Sequence, residues 1–193
     1  MPRLTGQLTL MGEALGLANR AAQPLSASPD CGGDDFDALV RAYHRPVTRL
    51  AYRLLGWRGD VEDLVHDVFV AAFKQRDRFR GDASTWTWLA AIAINQSRSL
   101  RRRQLMRFRW MRRTRPAIES PAAGEDLERD ETAQRVRDAV ARLSATDREL
   151  IVLHYLESMS VEELCKLLKV TNKAIHVRLH RARNRLKELL ESR

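Results

Sequence analysis

The chain has 193 residues, which is room for one ordinary domain or two small ones. Hydrophobic residues make up 44% of it, but no stretch approaches the roughly 20 uncharged apolar residues that span a bilayer, so we expect no membrane insertion. The net charge of +9 indicates a polyanionic partner such as nucleic acid.

Residues 1–33 mix Gly, Ala, Pro and Ser without a period, and we expect them to form a mobile tail. Glu13 interrupts the few apolar residues of this segment, so it does not resemble a signal peptide, and the cytoplasm is the expected compartment. Cys31 lies in the tail and Cys165 on an apolar helix face, a distribution that does not indicate a disulfide framework.

Residues 34–115 have the apolar period of three helices and form the first predicted domain. The first helix covers residues 36–55, and Gly56 ends it. Asp60 is expected to cap the second helix, with Asp63 as a weak capping-box partner.

A loop over residues 79–83 leads into the third helix, for which Ser84 is the expected N-cap. Trp86 and Trp88 fall on different faces of this helix, and we expect Trp88 in the core and Trp86 partly exposed. The helix runs into a block of eight arginines without an acid between residues 101 and 115.

A linker is predicted at residues 116–129, in a stretch where the charge becomes acidic. Amphipathic helices resume near Asp130 and define a second domain, residues 130–193. Nothing in the chain alternates like a strand. The sequence therefore predicts an all-α protein of two small helical domains joined by a flexible linker.

Residues 160–175 predict a helix, a short turn and a second helix. Ser160 and Glu163 have the spacing of a capping box, and Thr171 or Asn172 can cap the second helix. This is the helix-turn-helix arrangement, whose second helix presents its first residues to the major groove of DNA. The second basic block lies on that helix, with seven Lys and Arg against two acids from Lys173 onward.

The segment from Asp60 to Arg103 closely resembles region 2 of extracytoplasmic-function sigma factors, and the segment from Leu143 to Leu190 resembles their region 4. The resemblance covers about residues 34–115 and 130–191. It implies a group 4 member of the sigma-70 family, which binds core RNA polymerase and directs promoter-specific initiation. It also implies recognition of a −10 and a −35 promoter element, and control by an anti-sigma factor.

The resemblance implies three sets of site residues. The polymerase-binding set is Asp60, Asp63, Leu64, Asp67 and Phe69. The −10 set is Phe79, Arg80, Gly81, Asp82, Ser84, Trp86, Asn95, Arg98, Arg101 and Arg102. The −35 set is Lys173, His176, Val177, Arg178, His180, Arg181 and Arg183. His176 stands where the family usually has a permanent cation and Val177 where it has a small hydroxyl, so no base preference carries over at these two positions.

Two other functions are compatible with parts of the sequence. A stand-alone helix-turn-helix regulator would bind duplex DNA tightly without polymerase. An enzyme would need a catalytic or metal site. Asp63 and His66 have the spacing of half a metal site, but no second motif completes it. His176 and His180 also have metal-like spacing, but they lie among arginines that would repel a cation. We therefore expect no catalytic residue, no metal and no cofactor, and we expect His44, His66 and His154 to be satisfied by local contacts rather than to bind a metal.

Overall fold

The structure is a computed structural model that describes residues 33–56, 60–79, 81, 83–111 and 130–191. Within these ranges every regular element is helical, which confirms the predicted all-α class. The described residues belong to two compact units, one before and one after the predicted linker. The linker, and the predicted tail up to residue 32, lie outside the described residues. No helix in the described part of the chain is long and apolar enough to cross a membrane.

The N-terminal unit is a bundle of three helices in which each helix packs against the other two. Helix α1 is Gly33–Leu55, α2 is Val61–Gln75 and α3 is Thr85–Met111, with a 3₁₀ turn at Arg76–Arg78 after α2. All three contribute side chains to the core, and each buried Leu or Val stabilises the fold by about 1.5–3 kcal/mol. The most deeply buried large side chains are Val47, Leu50, Leu54, Leu64, Val68 and Leu89.

Three ends of these helices lie where the sequence signals predict them. Gly56 has a φ of 69°, a left-handed conformation that glycine adopts without steric cost, and α1 ends beside it. Ser84 caps α3, since its Oγ accepts a 3.1 Å hydrogen bond from the backbone N–H of Thr87. Asp60 occupies the N-cap position of α2 as predicted, but its side chain makes no cap hydrogen bond.

The C-terminal unit is a second bundle built around its last helix. Helix α4 is Asp130–Arg142, α5 is Ala145–Ile151, α6 is Val161–Leu168 and α7 is Asn172–Glu191, and α7 packs against the other three. A π-helical turn, Val152–Leu156, follows α5 directly. The core of this unit is formed by side chains from all of these elements, the most deeply buried being Leu150, Val152, Leu153, Leu164, Ile175 and Ala182.

The π-helical turn was not expected from the regular apolar spacing of this segment. Just beyond the end of this turn, Ser158 has a φ of 54°. The backbone N–H of Met159 then donates a 3.0 Å hydrogen bond back to the carbonyl of Leu153. The ring Nδ1 of His154 donates to the Met159 carbonyl at 2.9 Å, which confirms His154 as a locally satisfied histidine.

Candidate nucleic-acid and partner interfaces

Helix α2 presents an acidic face at the surface of the N-terminal unit. Asp60, Glu62 and Asp63 are exposed, and they cluster in the first turn, where negative charge also suits the helix macrodipole. Asp67 lies one turn further, with its Oδ2 3.9 Å from Nη1 of Arg103 on α3. Because this ion pair is largely exposed, it contributes no more than about 1 kcal/mol, and the face stays acidic overall.

Two apolar members of the predicted polymerase-binding set lie inside the protein. Leu64 is 1% exposed and Phe69 8% exposed, so neither side chain reaches the surface where the acidic residues lie. They instead anchor α2 in the core, and the ring of His44 on α1 stacks on Phe69 at 6.1 Å. The prediction that Leu64 and Phe69 form part of the contact surface is therefore corrected: they orient that surface from beneath.

An aromatic contact anchors the loop that precedes α3. The ring of Phe79 stacks on that of Trp88 with a centroid distance of 4.8 Å, and both residues are half-buried. Gly81 is exposed with a φ of 75°, where a side chain would be disfavoured. Ser84 closes the loop as the N-cap, while Arg80 and Asp82 lie outside the described residues.

The two tryptophans of α3 are both half-buried. Trp86 is therefore partly exposed as predicted, whereas Trp88 is only half-buried rather than a full core residue, and its ring stacks on the loop residue Phe79. Trp86 stacks on Tyr43 of α1 with nearly parallel rings 6.4 Å apart. Its Nε1 is buried without a hydrogen-bond partner, so this indole can offer its exposed ring surface to a ligand but not its N–H.

Tyr43 is the residue near this site that the sequence analysis did not single out. It is one apolar position in the helical period of α1, and no local pattern relates it to Trp86, 43 residues later in the chain. The contact exists because α1 and α3 pack against each other.

A polar and cationic stripe continues along α3. Asn95, Arg98 and Arg102 are spaced at three, four and seven residues, which places them on one side of the helix. Asn95 and Arg102 are exposed, and Arg98 is half-buried. Arg101 is also half-buried and, three residues beyond Arg98, lies at the edge of this stripe.

In the C-terminal unit, α6 and α7 form the predicted helix-turn-helix. The capping box at α6 is confirmed: Glu163 N–H donates to Ser160 Oγ at 3.2 Å, and Ser160 N–H donates to Glu163 Oε2 at 2.8 Å. Thr171 is the cap of α7, with its Oγ1 accepting from Ala174 N–H at 3.4 Å. Between the helices Lys169 takes a left-handed conformation, with φ 55° and ψ 46°.

The outer face of α7 is exposed and mostly cationic. Its inner face, with Ile175, Leu179 and Ala182, is buried in the bundle. The exposed members of the predicted −35 set are Lys173, His176, Val177, Arg178, His180 and Arg181. Arg183 differs from them, because it is half-buried and its Nε donates to the Leu179 carbonyl of its own helix at 3.3 Å.

An acidic side chain lies close to this basic face. This side chain is Glu162, at the start of α6. Its carboxylate accepts hydrogen bonds from the backbone N–H of Glu162 and from the Ser160 hydroxyl, and both lower the pKa of Glu162. The electrostatic effect of His176 on α7 acts in the same direction. Glu162 therefore stays ionised near the first turns of α7 and adds a negative charge at the edge of the cationic surface. In the described ranges, no three His, Cys, Asp or Glu side chains come together as metal ligands would.

Comparisons with known proteins agree with this division into two units. Residues 39–105 match the family described as Sigma-70 region 2, and residues 133–186 match the family described as Sigma-70, region 4. The RNA polymerase sigma factor NccH of Alcaligenes xylosoxydans xylosoxydans is 32% identical over 183 residues, covering 91% of this chain and 94% of that protein. The ECF RNA polymerase sigma factor SigM of Mycobacterium tuberculosis is 29% identical over 155 residues, covering 80% and 76%.

A solved structure of a sigma factor is also similar to this chain. The sigma factor RpoE from Bartonella quintana, in complex with the anti-sigma factor NepR, superposes with a TM-score of 0.67 at 28% identity, covering 82% of this chain and 98% of that one. With both sigma-70 regions matched in order and a relative aligned over nearly its whole length, the chain belongs to the extracytoplasmic-function group of the sigma-70 family of RNA polymerase sigma factors.

Proposed function

We propose that this protein binds core RNA polymerase and directs initiation at promoters, with the N-terminal unit reading the −10 element and the C-terminal unit the −35 element. The observation that supports this most is that one chain has both sigma-70 regions in order, each with an exposed cationic or polar face on a folded helical unit. The chain performs no bond-forming chemistry in this proposal. The polymerase supplies it, and both act in the cytoplasm.

Polymerase binding is assigned to the acidic face of α2. Asp60, Asp63 and Asp67 are at least partly exposed and lie on a helix whose apolar side is fixed in the core. An exposed acidic helix face suits a basic partner surface, where charge complementarity speeds association and selects the partner. The partial pairing of Asp67 with Arg103 is weak enough to be exchanged for an intermolecular contact.

Recognition of the −10 element is assigned to the loop before α3 and the stripe that follows. A base must leave the stack to be read there, at a cost of a few kcal/mol, and stacking on an aromatic ring returns about 1–3 kcal/mol. The half-exposed rings of Phe79 and Trp86 provide such surfaces. Asn95 can donate to and accept from a base edge, and Arg102 can follow the phosphates.

Recognition of the −35 element is assigned to the outer face of α7. Lys173, Arg178 and Arg181 are exposed cations in the first half of a recognition helix, where side chains contact guanine edges and phosphates. Arg183 is assigned a lesser role, since its guanidinium is bonded to its own helix.

Control by an anti-sigma factor is part of the proposal. The structural neighbour RpoE is in complex with the anti-sigma factor NepR. A partner of that kind would act on this chain by covering the acidic face of α2 or the cationic face of α7.

The decisive experiment is transcription by purified protein with core polymerase on a library of genomic promoter fragments. We expect promoter-dependent transcripts that disappear without the protein. Arg178→Ala should lower their yield, whereas Lys187→Ala, a matched exposed cation near the end of the same helix and paired with Glu191 at 3.6 Å, should not.

The absence of any promoter-dependent transcript would refute the proposal. Tight, sequence-specific binding of the free protein to duplex DNA, with no effect of core polymerase, would support the alternative, a stand-alone helix-turn-helix regulator.

A further inference from the structure

Val177 is the one large hydrophobic side chain that lies exposed among those described between residues 133 and 191. It is 44% exposed, although the unit has a well-filled core to which other apolar residues of α7 contribute. Single exposed hydrophobic residues are common on protein surfaces, so exposure alone assigns nothing. The position of Val177 on the helix gives it significance.

Val177 lies in the middle of the cationic outer face of α7. It is two residues from Ile175 and two from Leu179, about 200° around the helix from each, so it points away from the core. Lys173 lies one turn before it and Arg181 one turn after it, both exposed and on the same side. Because α7 begins at Asn172, Val177 is in its second turn, within the part of a recognition helix that reaches base edges.

We propose that Val177 reads a thymine in the −35 element through the C5-methyl group of that base. The major groove presents hydrogen-bond donors and acceptors at every base pair, and the thymine methyl is the one apolar group among them. A valine cannot satisfy a donor or an acceptor, so any other base opposite it loses hydration without compensation. The inference rests on the proposed recognition of the −35 element by α7, and it adds that Val177 selects a thymine there.

A protein surface is the competing occupant for an exposed valine. Interface centres are formed by clustered apolar and aromatic residues from which charged residues are depleted. Around Val177 the neighbours one turn away are Lys173, Arg181, His180 and the small, half-buried Ala174, which is a mainly cationic and polar composition. An exposed valine flanked by Lys173 and Arg181 matches a groove in which the thymine methyl lies among phosphates and polar base edges.

The test compares thymine with deoxyuridine, which pairs in the same way but lacks the methyl group. Full-length protein with core polymerase first selects duplexes from a pool randomised over the −35 segment. The selected duplex is then remade with deoxyuridine at one thymine at a time. For the natural protein we expect one position at which the substitution weakens holoenzyme binding about fourfold, the effect of one buried methyl-sized group.

Two variants make the comparison specific. Val177→Ala should bind the thymine and the deoxyuridine duplexes equally well. Arg178→Ala, at the adjacent exposed position, should bind both more weakly and keep the roughly fourfold difference between them.

The inference is overturned if no single deoxyuridine weakens binding, or if the same position keeps its effect in Val177→Ala. It is also overturned if Val177→Ala weakens binding to core polymerase in the absence of DNA, which would indicate a protein contact. In these outcomes the holoenzyme still initiates at promoters and the proposed function stands. Failure to select any duplex would refute both.

Discussion

Lys169 offers a direct test of the helix-turn-helix geometry. Its φ of 55° and ψ of 46° put a residue with a Cβ atom in the left-handed region, which costs about 1–2 kcal/mol relative to the right-handed conformation. Glycine avoids that steric cost but loses about 0.5–1 kcal/mol more conformational entropy on folding. Glycine at this position should therefore stabilise the C-terminal unit by about 1 kcal/mol relative to alanine.

The effect of the lysine charge on stability has to be measured separately from the effect of its backbone conformation. A cation at a helix C-terminus is itself worth about 0.3–1 kcal/mol through the macrodipole. Lys169→Ala and Lys169→Gly both lack the ammonium group, so their difference isolates the backbone effect. Lys166→Gly is the matched control: Lys166 is exposed within α6, where glycine should destabilise the unit by about 1 kcal/mol.

The assay must report on the C-terminal unit alone. All four tryptophans precede residue 111, so their fluorescence follows the N-terminal half of the chain and should be the same in every variant. Hydrogen exchange at the amides of buried α7 residues such as Leu179 and Ala182 measures the opening free energy of the C-terminal unit. Slower exchange in Lys169→Gly than in Lys169→Ala is expected. Equal or faster exchange would contradict the left-handed assignment.

Three further outcomes are expected from the same structure. Ser160→Ala removes one partner of the capping box and should destabilise the C-terminal unit by about 1 kcal/mol, measured by the same hydrogen exchange. Leu164→Ala leaves a cavity at a fully buried site and should cost about 2–5 kcal/mol, with loss of holoenzyme binding to −35 duplexes in a gel-shift assay. Asn95→Ala changes an exposed side chain, so co-purification with core polymerase should be unchanged while transcript yield falls; a loss of polymerase binding would refute its assignment to DNA.

Where the sequence analysis and the structure differ, the reason is packing between helices. The resemblance implied that Leu64 and Phe69 belong to a contact surface, but α1 and α3 cover that side of α2. Trp88 was expected in the core from its spacing on α3. In the structure it is half-buried, and its ring stacks on Phe79, nine residues earlier in the chain.

The sequence by itself determined the features that depend on contacts within about four residues. The capping box of Ser160 and Glu163, the cap at Ser84 and the end of α1 at Gly56 follow from local hydrogen bonds and allowed backbone angles. The all-α class follows for the same reason, since the apolar period is a property of short segments.

Only the tertiary structure decided which side chains of each helix remain available to a partner. Val177 stands exposed beside buried Ile175 and Leu179, because other helices of the unit cover only the inner side of α7. Exposure depends on which neighbouring helix covers each side of α7, and that is a property of residues far apart in the chain. The family of the protein was therefore readable from its motifs, whereas the surface with which it would read DNA required the folded structure.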